Sequence, residues 1–504
     1  MCQLLSTRGR GVVVDSCGGE IGARSARHAG CLGPSPVTQP TLRSIAVLVP
    51  GVLLSLVACG DSADSKSSAL PGDDGSSPAA SVSIDQADVP RDSPSKIDPA
   101  AVAGAAEANN AFAFDLYSRL LAAQPSPSNV LTSPISASLA LTMSYAGAQG
   151  QTATEMATAL HFGASAGAIF DGQNGLSAAL ASRAPSALAE EQQVASQQGQ
   201  PAPSASDYEM QIVNSVWGEQ TYPWAQPFLT VLAKSYGTGV YVEDFIHAWD
   251  PARLAINAWV SAETADKIDD LLPEGSVDHT TRMVLVNAIH LKLPWASPFQ
   301  TSATAPATFT RSDGTTVSAP FMNQTASLAY VDDGKAQIVA LPLAGQEVAV
   351  VLAVPHGDLA TYEAGLTAIA PPPSETPVAL SLPKFAFTSA STSLAKLLQA
   401  MGMVQAFDPV AAQFQGLCAS TPDGDNLYIA DVLQKAMIAV EETGVEAAAA
   451  TAVIVDGDAA EGPPPPPPVP VDLNRPFVLS IVDVPTGAIL FLGHIEDPTD
   501  MGSP

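Results

Sequence analysis

Apolar residues recur at helical spacing through Ala106–Ala123 (Ala111, Phe114, Leu116, Leu120, Leu121), which predicts a helix ending near Pro125. Ser133-Pro134 opens a second helix, with Ser as N-cap and Pro in the first turn, running over Ile135–Ala148. Thr152–Leu160 begins with a capping-box pattern and gives a third, and Leu254–Thr264 gives a fourth. Later in the chain the pattern changes. Gln211–Trp217, Met283–Leu291, Glu347–Val354, Pro377–Leu382, Met437–Val440, Phe477–Val482 and Ala488–Gly493 are short apolar runs. Several are apolar on consecutive positions, as expected of strands buried on both faces. Helices early and strands late predict an α+β fold rather than alternating βαβ units.

Three polar stretches interrupt this pattern. Residues 59–105 are rich in Ser, Asp, Pro and Gly and are expected to form a disordered tether. Residues 187–207 read as an inserted loop, and 456–470 as a Pro-rich one. No repeat at a fixed period divides the remainder, so 106–498 is read as one large domain.

Residues 44–58 are apolar, follow Arg43, and are too short to span a bilayer, which takes roughly 20 residues. They have the length of a signal-peptide core. The segment ends in Leu56-Val57-Ala58-Cys59-Gly60, which resembles the bacterial lipobox, where cleavage precedes a cysteine that carries lipid. The expected organisation is therefore a pre-region at 1–58, with the lipoprotein signal at 42–58, and lipidation at Cys59. An ordinary secretory signal with an incidental cysteine is the alternative. Residues 1–40 fit neither reading and suggest a start codon nearer Val37 or Leu42. The expected location is across the inner membrane, lipid-anchored at the cell envelope or surface, or alternatively extracellular.

With 21 Lys+Arg against 50 Asp+Glu, the net charge of -29 argues against a nucleic-acid binder, which needs a basic face. Removing 1–58 takes away Arg8, Arg10, Arg24, Arg27 and Arg43 and makes the rest more acidic still. It also removes Cys2, Cys17 and Cys31. With Cys59 lipidated, no second cysteine is left to form an internal disulfide with Cys418, and the fold must hold by packing. No Cys/His cluster has zinc spacing, so neither metal nor cofactor is expected. Asp423-Gly-Asp425-Asn426 lacks the downstream Glu of a calcium loop, Cys418 has no His near it in sequence, and GxSxG and Walker A patterns are absent.

Ordered blocks along the chain resemble the serpin family. Asn129-Val-Leu-Thr-Ser133-Pro134-Ile-Ser136, continued by Thr152–Phe162, is similar to the family's second and third helices. Asn214-Ser-Val-Trp217 resembles the central strand of its large sheet. Ile256–Val260, Lys267-Ile268 and Leu271-Leu272-Pro273 match the helix that crosses that sheet and the segment after it. Val286-Asn287-Ala288-Ile289-His290-Leu291-Lys292-Leu293-Pro294-Trp295 is similar to a further strand and the breach at its end. Leu382-Pro383-Lys384-Phe385, Gly402-Met403, Pro476-Phe477 and Gly487–Gly493 continue in family order. The resemblance covers 106–498 and implies about three β-sheets, eight to nine helices and an exposed reactive-centre loop at about 442–475.

Glu441-Glu442-Thr443-Gly444-Val445-Glu446-Ala447-Ala448-Ala449-Ala450-Thr451 resembles the hinge of inhibitory serpins. A segment that inserts as a strand between packed neighbours buries alternate side chains, where bulk would resist. Alanines lose almost no side-chain entropy there, and Gly444 offers the backbone freedom a hinge needs. Isolated, the Ala run would suit a helix. The resemblance implies a protein that is not an enzyme but a protease inhibitor. The loop is cleaved, an acyl-enzyme forms, and the cut loop inserts into the large sheet, trapping the protease.

In the family the scissile bond lies about fourteen residues past the hinge glycine, which gives Asp458–Ala459. Counting back from Pro476 instead lands inside the Pro run, because the loop is about seven residues longer than the family's usual one; the hinge count is preferred because insertion length is the functional constraint. The acidic Asp458 suits a protease that cleaves after Asp or Glu; cleavage after Val455, Ala459 or Ala460 suits an elastase- or subtilisin-like one. Pro463–Pro468 is expected to form polyproline II spanning roughly 19 Å, either a strut for the bait or a tolerated insertion. Four features depart from or vary the family pattern. Gln434 stands where the family usually has His, in a hydrogen-bond cluster expected to hold Ser133, Ser136 and Asn287. Leu293 replaces the usual Gly before Trp295, which puts the breach packing in question, and Val445 replaces Thr or Ser. Arg183 is the only basic residue at 163–187, so heparin activation is not expected.

The implied partners are a serine protease, or a cysteine protease, and a membrane reached through the N-terminal lipid, with the protein a monomer. The alternative function is a non-inhibitory serpin serving as a surface binding or carrier scaffold.

Overall fold

The computed structural model describes residues 82–502, apart from 125–126, 164, 423, 425 and 447–466. The pre-region, Cys59, the first part of the expected tether, Ala447–Thr451, Asp458, Ala459 and Pro463–Pro466 lie outside the described residues.

In chain order the elements are β1 (Ser83–Asp85), α1 (Pro99–Ala123), β2 (Val130–Thr132), α2 (Pro134–Tyr145), α3 (Gly150–Ala159), α4 (Ala166–Gln198), β3 (Glu209–Glu219), α5 (Gln226–Tyr236), β4 (Val240–Glu243) and α6 (Phe245–Glu263). A strand-rich half comes next: β5 (Met283–Pro294), β6 (Ala305–Thr310), β7 (Thr316–Asp332), β8 (Ala336–Pro342), β9 (Val348–Pro355), α7 (Leu359–Glu363), β10 (Glu375–Pro383), β11 (Phe385–Thr388) and β12 (Thr392–Ser393). The chain closes with α8 (Ala395–Ala400), β13 (Val432–Gln434), β14 (Met437–Val440), β15 (Gly444–Val445), β16 (Val469–Asp472), β17 (Phe477–Asp483) and β18 (Ile489–Ile495). The fold is α+β, with eight α-helices among the described residues.

The described strands form two nine-stranded sheets rather than about three. The reason is the length of β7: it pairs with β6 over Thr316–Phe321 and with β8 over Ala329–Asp332, joining layers that shorter strands would leave separate. The first sheet runs β1-β4-β3-β5-β15-β14-β11, with β13 also on β5 and β12 on β13. Its inner face (Ile289, Leu291, Leu293) packs toward the second sheet, whose β9, β17 and β18 are buried at every position. Its outer face (Val284, Val286, Ala288) is covered by Ile256 and Val260 of α6.

Three sequence expectations change. The tether does not extend to residue 105. β1 adds an edge to β4 through Ser83↔Val242 and Asp85↔Val240, and Arg91 Nε donates to Asn174 Oδ1 at 2.8 Å. The Asp98 side chain then caps α1, which starts seven residues before the predicted Ala106, at Pro99. Polar residues in 82–98 are thus spent on the body of the protein. Residues 187–198 are not a loop but the end of α4, whose Ala, Glu and Gln are good helix formers and whose cap is Gly199 in the left-handed conformation. The reactive-centre loop does not extend to 475, because Val469–Asp472 is β16, parallel to β10 from Val378↔Val469 to Ser381↔Asp472.

The strands β6, β7 and β8 escaped the apolar-run pattern. β6 is exposed at five of its six positions and alternates Ala, Pro, Thr and Phe, so no run marks it. Where α4 crosses α1, Gly172 is forced by contact: a Cβ there would lie 2.3 Å from Ala101 O.

Candidate functional site

The segment Val432–Val440 lies beside β5 in two different ways. Its lower part, β13, pairs with β5 directly and in parallel: Val432↔Leu285, Leu433↔Val286, Gln434↔Asn287. Its upper part, β14, stands away from β5, and β15 fills the space. Gly444 lies opposite Pro294, Val445 opposite Leu293, and Val445 also opposite Val440. The first sheet is therefore closed at Asn287 and split at Leu293, with two residues of the next segment seated in the split.

Val445 and Leu293 are both buried and share the inner-face core with Ile438 and Val440. A β-branched residue suits that strand position. Leu293, expected to disturb the breach, instead supplies the partner for Val445. The strand flanking the split is β5, not the Asn214–Trp217 strand: β3 lies one place outward, between β4 and β5. The apolar patterns of β3 and β5 alone could not rank them.

The turn into β15 is held by main-chain and side-chain bonds. Phe299 N donates to Glu442 O at 2.8 Å, Trp295 N to Thr443 O at 2.9 Å, and Trp295 Nε1 to Glu441 O at 2.8 Å. Glu442 accepts from Lys384 Nζ at 3.0 Å and from Thr304 Oγ1 at 3.0 Å. Burial opposes charge on both Glu442 and Lys384, but the bond between them outweighs it, holding the Glu442 carboxyl below and the Lys384 ammonium above their ordinary ranges. Gly444 is in strand pairing; the left-handed backbone of this segment falls at Glu446, with φ 52°. For a non-glycine residue that conformation costs about 1–2 kcal/mol.

Below the split, Gln434 uses its whole amide. Nε2 donates to Asn287 Oδ1 at 3.0 Å and to Ser133 O at 2.8 Å; Oε1 accepts from Thr132 Oγ1 at 2.6 Å and Ser133 N at 3.2 Å. Asn287 Nδ2 donates to Leu433 O at 2.9 Å. Two donors and two lone pairs are all a carboxamide has. Of the expected cluster, Asn287 meets Gln434 by side chain and Ser133 by backbone, the Ser133 hydroxyl having no hydrogen-bond partner among the described residues. Ser136 is not in it: its Oγ lies 3.2 Å from Asn214 Oδ1 and 3.3 Å from Ala288 O, one strand away. Thr132 was missed, although it directly precedes Ser133.

The sequence also did not expose the acidic and basic groups around Glu446. Its carboxylate is buried and accepts from His290 Nε2 on β5, with Lys267 Nζ 3.5 Å away on the other oxygen. Arg183 is bound by Asp483 at 2.6 Å and Glu347 at 3.1 Å. Cys418 is buried, and its Sγ donates to Ser420 O at 3.2 Å. Among the described residues no group of three or more His, Cys, Asp or Glu is placed to hold a metal ion, and no helix is long and apolar enough to cross a membrane.

Residues 107–498 match the family model described as Serpin (serine protease inhibitor). An uncharacterized serpin-like protein of Thermococcus kodakarensis is 33% identical over 399 residues, covering 78% of this chain and 85% of its own. The leukocyte elastase inhibitor of Homo sapiens is 30% identical over 407 residues, covering 78% of this chain and 98% of its own. The native-state structure of tengpin, a thermophilic serpin, superposes with a TM-score of 0.65 at 25% identity, covering 82% of this chain and 97% of that one.

Proposed function

The chain belongs to the serpin family, and on that footing we propose that it is a serine-type endopeptidase inhibitor that acts as a suicide substrate. The observation that carries this reading is the register of β15. Gly444 and Val445 already occupy the split in antiparallel pairing with Pro294 and Leu293. Continuing that register down β5 would set Thr451 opposite Asn287 and Val455 opposite Met283, at the far end of the strand. The inward positions would be Ala447, Ala449, Thr451, Val453 and Val455, small or β-branched throughout. The segment is thus patterned as the missing strand of this sheet.

The same register supports the placement of the scissile bond. A strand that ends at Val455 leaves Asp456, Gly457 and Asp458 just beyond the lower edge of β5. A protease acylated at Asp458, with Ala459 leaving on the released side, would be carried the full length of β5. At about 3.4 Å per residue the twelve residues of β5 span roughly 40 Å. To pass Thr451 the segment must part β13 from β5 at Gln434 and Asn287. Glu442, Gly444, Val445, Glu446 and Ala447–Thr451 act as the hinge, and Ser133, Asn287, Gln434 and Trp295 as the elements that open. No residue of the chain performs catalysis; the acylating nucleophile is the target's. A bond after Asp458 favours proteases that cleave after Asp or Glu; the inhibitor named among the relatives favours elastase-type ones, which would cut after Val455, Ala459 or Ala460 instead.

The leader and Cys59 support export and a lipid anchor, with residues 60–81 as the tether. The lengthened, Pro-rich loop favours the second reading, a non-inhibitory surface scaffold. Incubation of the purified chain with elastase-, subtilisin-, chymotrypsin- and Glu/Asp-specific proteases separates the two. The inhibitor gives a covalent band that survives denaturant, together with a released peptide beginning at or near Ala459 by mass spectrometry. Cleavage without a covalent band for every protease, and no rise in Tm after cleavage, would leave the scaffold reading.

A further inference from the structure

Helices α1 and α4 meet closely at one point and part beside it. At Gly172 of α4 a Cβ would lie 2.3 Å from Ala101 O, whereas at Gly104, nearly one turn further along α1, a Cβ would meet nothing within 4 Å. The face of α1 that runs from Ala100 through Gly104 to Ala111 at helical spacing carries no apolar side chain longer than a methyl group. The two helices therefore leave a cavity of about 430 Å³, lined also by Phe162 and, from α4, by Ile169 and Gln173. That volume falls within the range of about 300–1,000 Å³ usual for small-molecule sites.

The wall of this cavity holds a polar group that the protein does not use. Gln173 is wholly buried, and neither its Nε2 nor its Oε1 has a hydrogen-bond partner among the described residues. Asn174, the next residue, shows the usual arrangement: its Nδ2 donates to Asp92 O at 3.0 Å and its Oδ1 accepts from Arg91 Nε at 2.8 Å. A buried carboxamide without partners has given up its water for nothing, which folded proteins rarely tolerate. Its edge offers an N–H donor beside a carbonyl acceptor. A group that satisfies both must itself carry an acceptor beside a donor, as another amide does.

We propose that the cavity between α1 and α4 binds a neutral amphiphile, an aliphatic chain ending in a carboxamide whose head pairs with the side chain of Gln173. The head is neutral because of what surrounds it. No Lys or Arg is among the described residues that line the cavity, and the charged group that does line it is the exposed Glu107. His161, also in the lining, is taken by Asp115 Oδ2 at 2.8 Å. A carboxylate would find no cation there, would face Glu107, and would lack the N–H that Gln173 Oε1 requires.

The two ends of such a ligand do different work. The chain lies along the alanines of α1 and the ring of Phe162, and supplies affinity through the apolar area it removes from water. The head makes two bonds, from Gln173 Nε2 to the ligand oxygen and from the ligand N–H to Gln173 Oε1, and supplies selectivity. No residue of the hinge or of the split lines the cavity, so the assignment does not depend on the inhibitory reading.

Calorimetric titration of the intact chain with octanamide, and with octanoate as the charged analogue of the same chain length, tests this at neutral pH. The wild type is expected to bind octanamide saturably at one site, with Tm rising as ligand is added. Octanoate is expected to bind at least about tenfold more weakly, because it leaves buried polar groups unpaired. Gln173→Leu keeps the shape of the wall but removes the carboxamide. It should weaken octanamide at least about tenfold, while its Tm without ligand should be no lower than that of the wild type, since an unpartnered group has been removed. Gly104→Leu puts a side chain into the open space and should abolish binding; if that variant does not fold, Gln173→Leu decides alone. A cavity that takes water only, seen as no saturable octanamide binding, overturns the assignment. So does equal affinity for octanoate, undiminished binding in either folded variant, or a clear fall in Tm for Gln173→Leu, which would show that the carboxamide is already satisfied.

Discussion

Val445 lies opposite Leu293 across an antiparallel ladder, both side chains buried in the core between the sheets. Six residues lower on β5, Asn287 is still paired directly with Gln434. The distance between these two pairings is the part of the sheet that can open without breaking the Gln434 cluster.

Val445 sits where a charge cannot be accommodated. Val445→Arg is expected to block seating and further insertion, because an unpaired guanidinium would have to enter an apolar core. The loop would still be cleaved at the wild-type rate, but the covalent complex on a denaturing gel would fall by at least about tenfold, since about 1.4 kcal/mol already shifts a partition that far. Val445→Ala should retain trapping.

Gln434 satisfies four groups at once. Gln434→Leu would leave Asn287 Oδ1, Thr132 Oγ1 and the Ser133 N–H without their partner in a buried site. Each orphaned group costs about 1–3 kcal/mol, so the urea midpoint of the first unfolding transition should fall clearly. An unchanged midpoint would mean that the cluster does not hold β13 to β5.

His494 lies between Glu363, 2.9 Å from Nδ1, and Glu496, 3.5 Å from Nε2. Burial disfavours its charge, but the two carboxylates outweigh that and push its pKa up from 6.5 to about 9. The folded value exceeds the unfolded one. The stabilisation is therefore complete below about pH 6.5 and is lost as pH rises through about 9. Tm should decline between pH 7 and 9.5 in the wild type. His494→Gln should remove the part of that decline centred near pH 9.

Lys384 and Glu442 tie the turn before β15 to the start of β11 at 3.0 Å. Both are partly exposed, so a double-mutant cycle with Lys384→Ala and Glu442→Gln should give a coupling of about 0.5–1 kcal/mol in unfolding free energy. The swap Lys384→Glu with Glu442→Lys should recover part of it. No measurable coupling would assign the turn to the Trp295 main-chain bonds instead.

Much of the fold was legible because it is written locally. Ser133-Pro134 opens α2, Met437–Val440 is a strand with the predicted limits, and the consecutive apolar runs at Phe477 and Ala488 are the buried strands β17 and β18. Local signals failed where polarity served tertiary contacts. Ser83–Asp85 reads as tether until its main chain pairs with β4, and the exposed, mixed strand β6 carries no apolar run at all.

By itself the sequence determined the order of helices and strands, the acidic balance and the run of small residues at Ala447–Thr451 that suits burial as a strand. Only the tertiary structure decided that β5 rather than β3 flanks the split, that insertion stands at two residues, and that Gln434 meets Asn287 and Glu446 meets His290. Those pairs are 147 and 156 residues apart in the chain. Periodicity fixes which face a side chain takes within its own element, but which distant side chain it meets depends on inter-strand register, set by packing of the whole sheet.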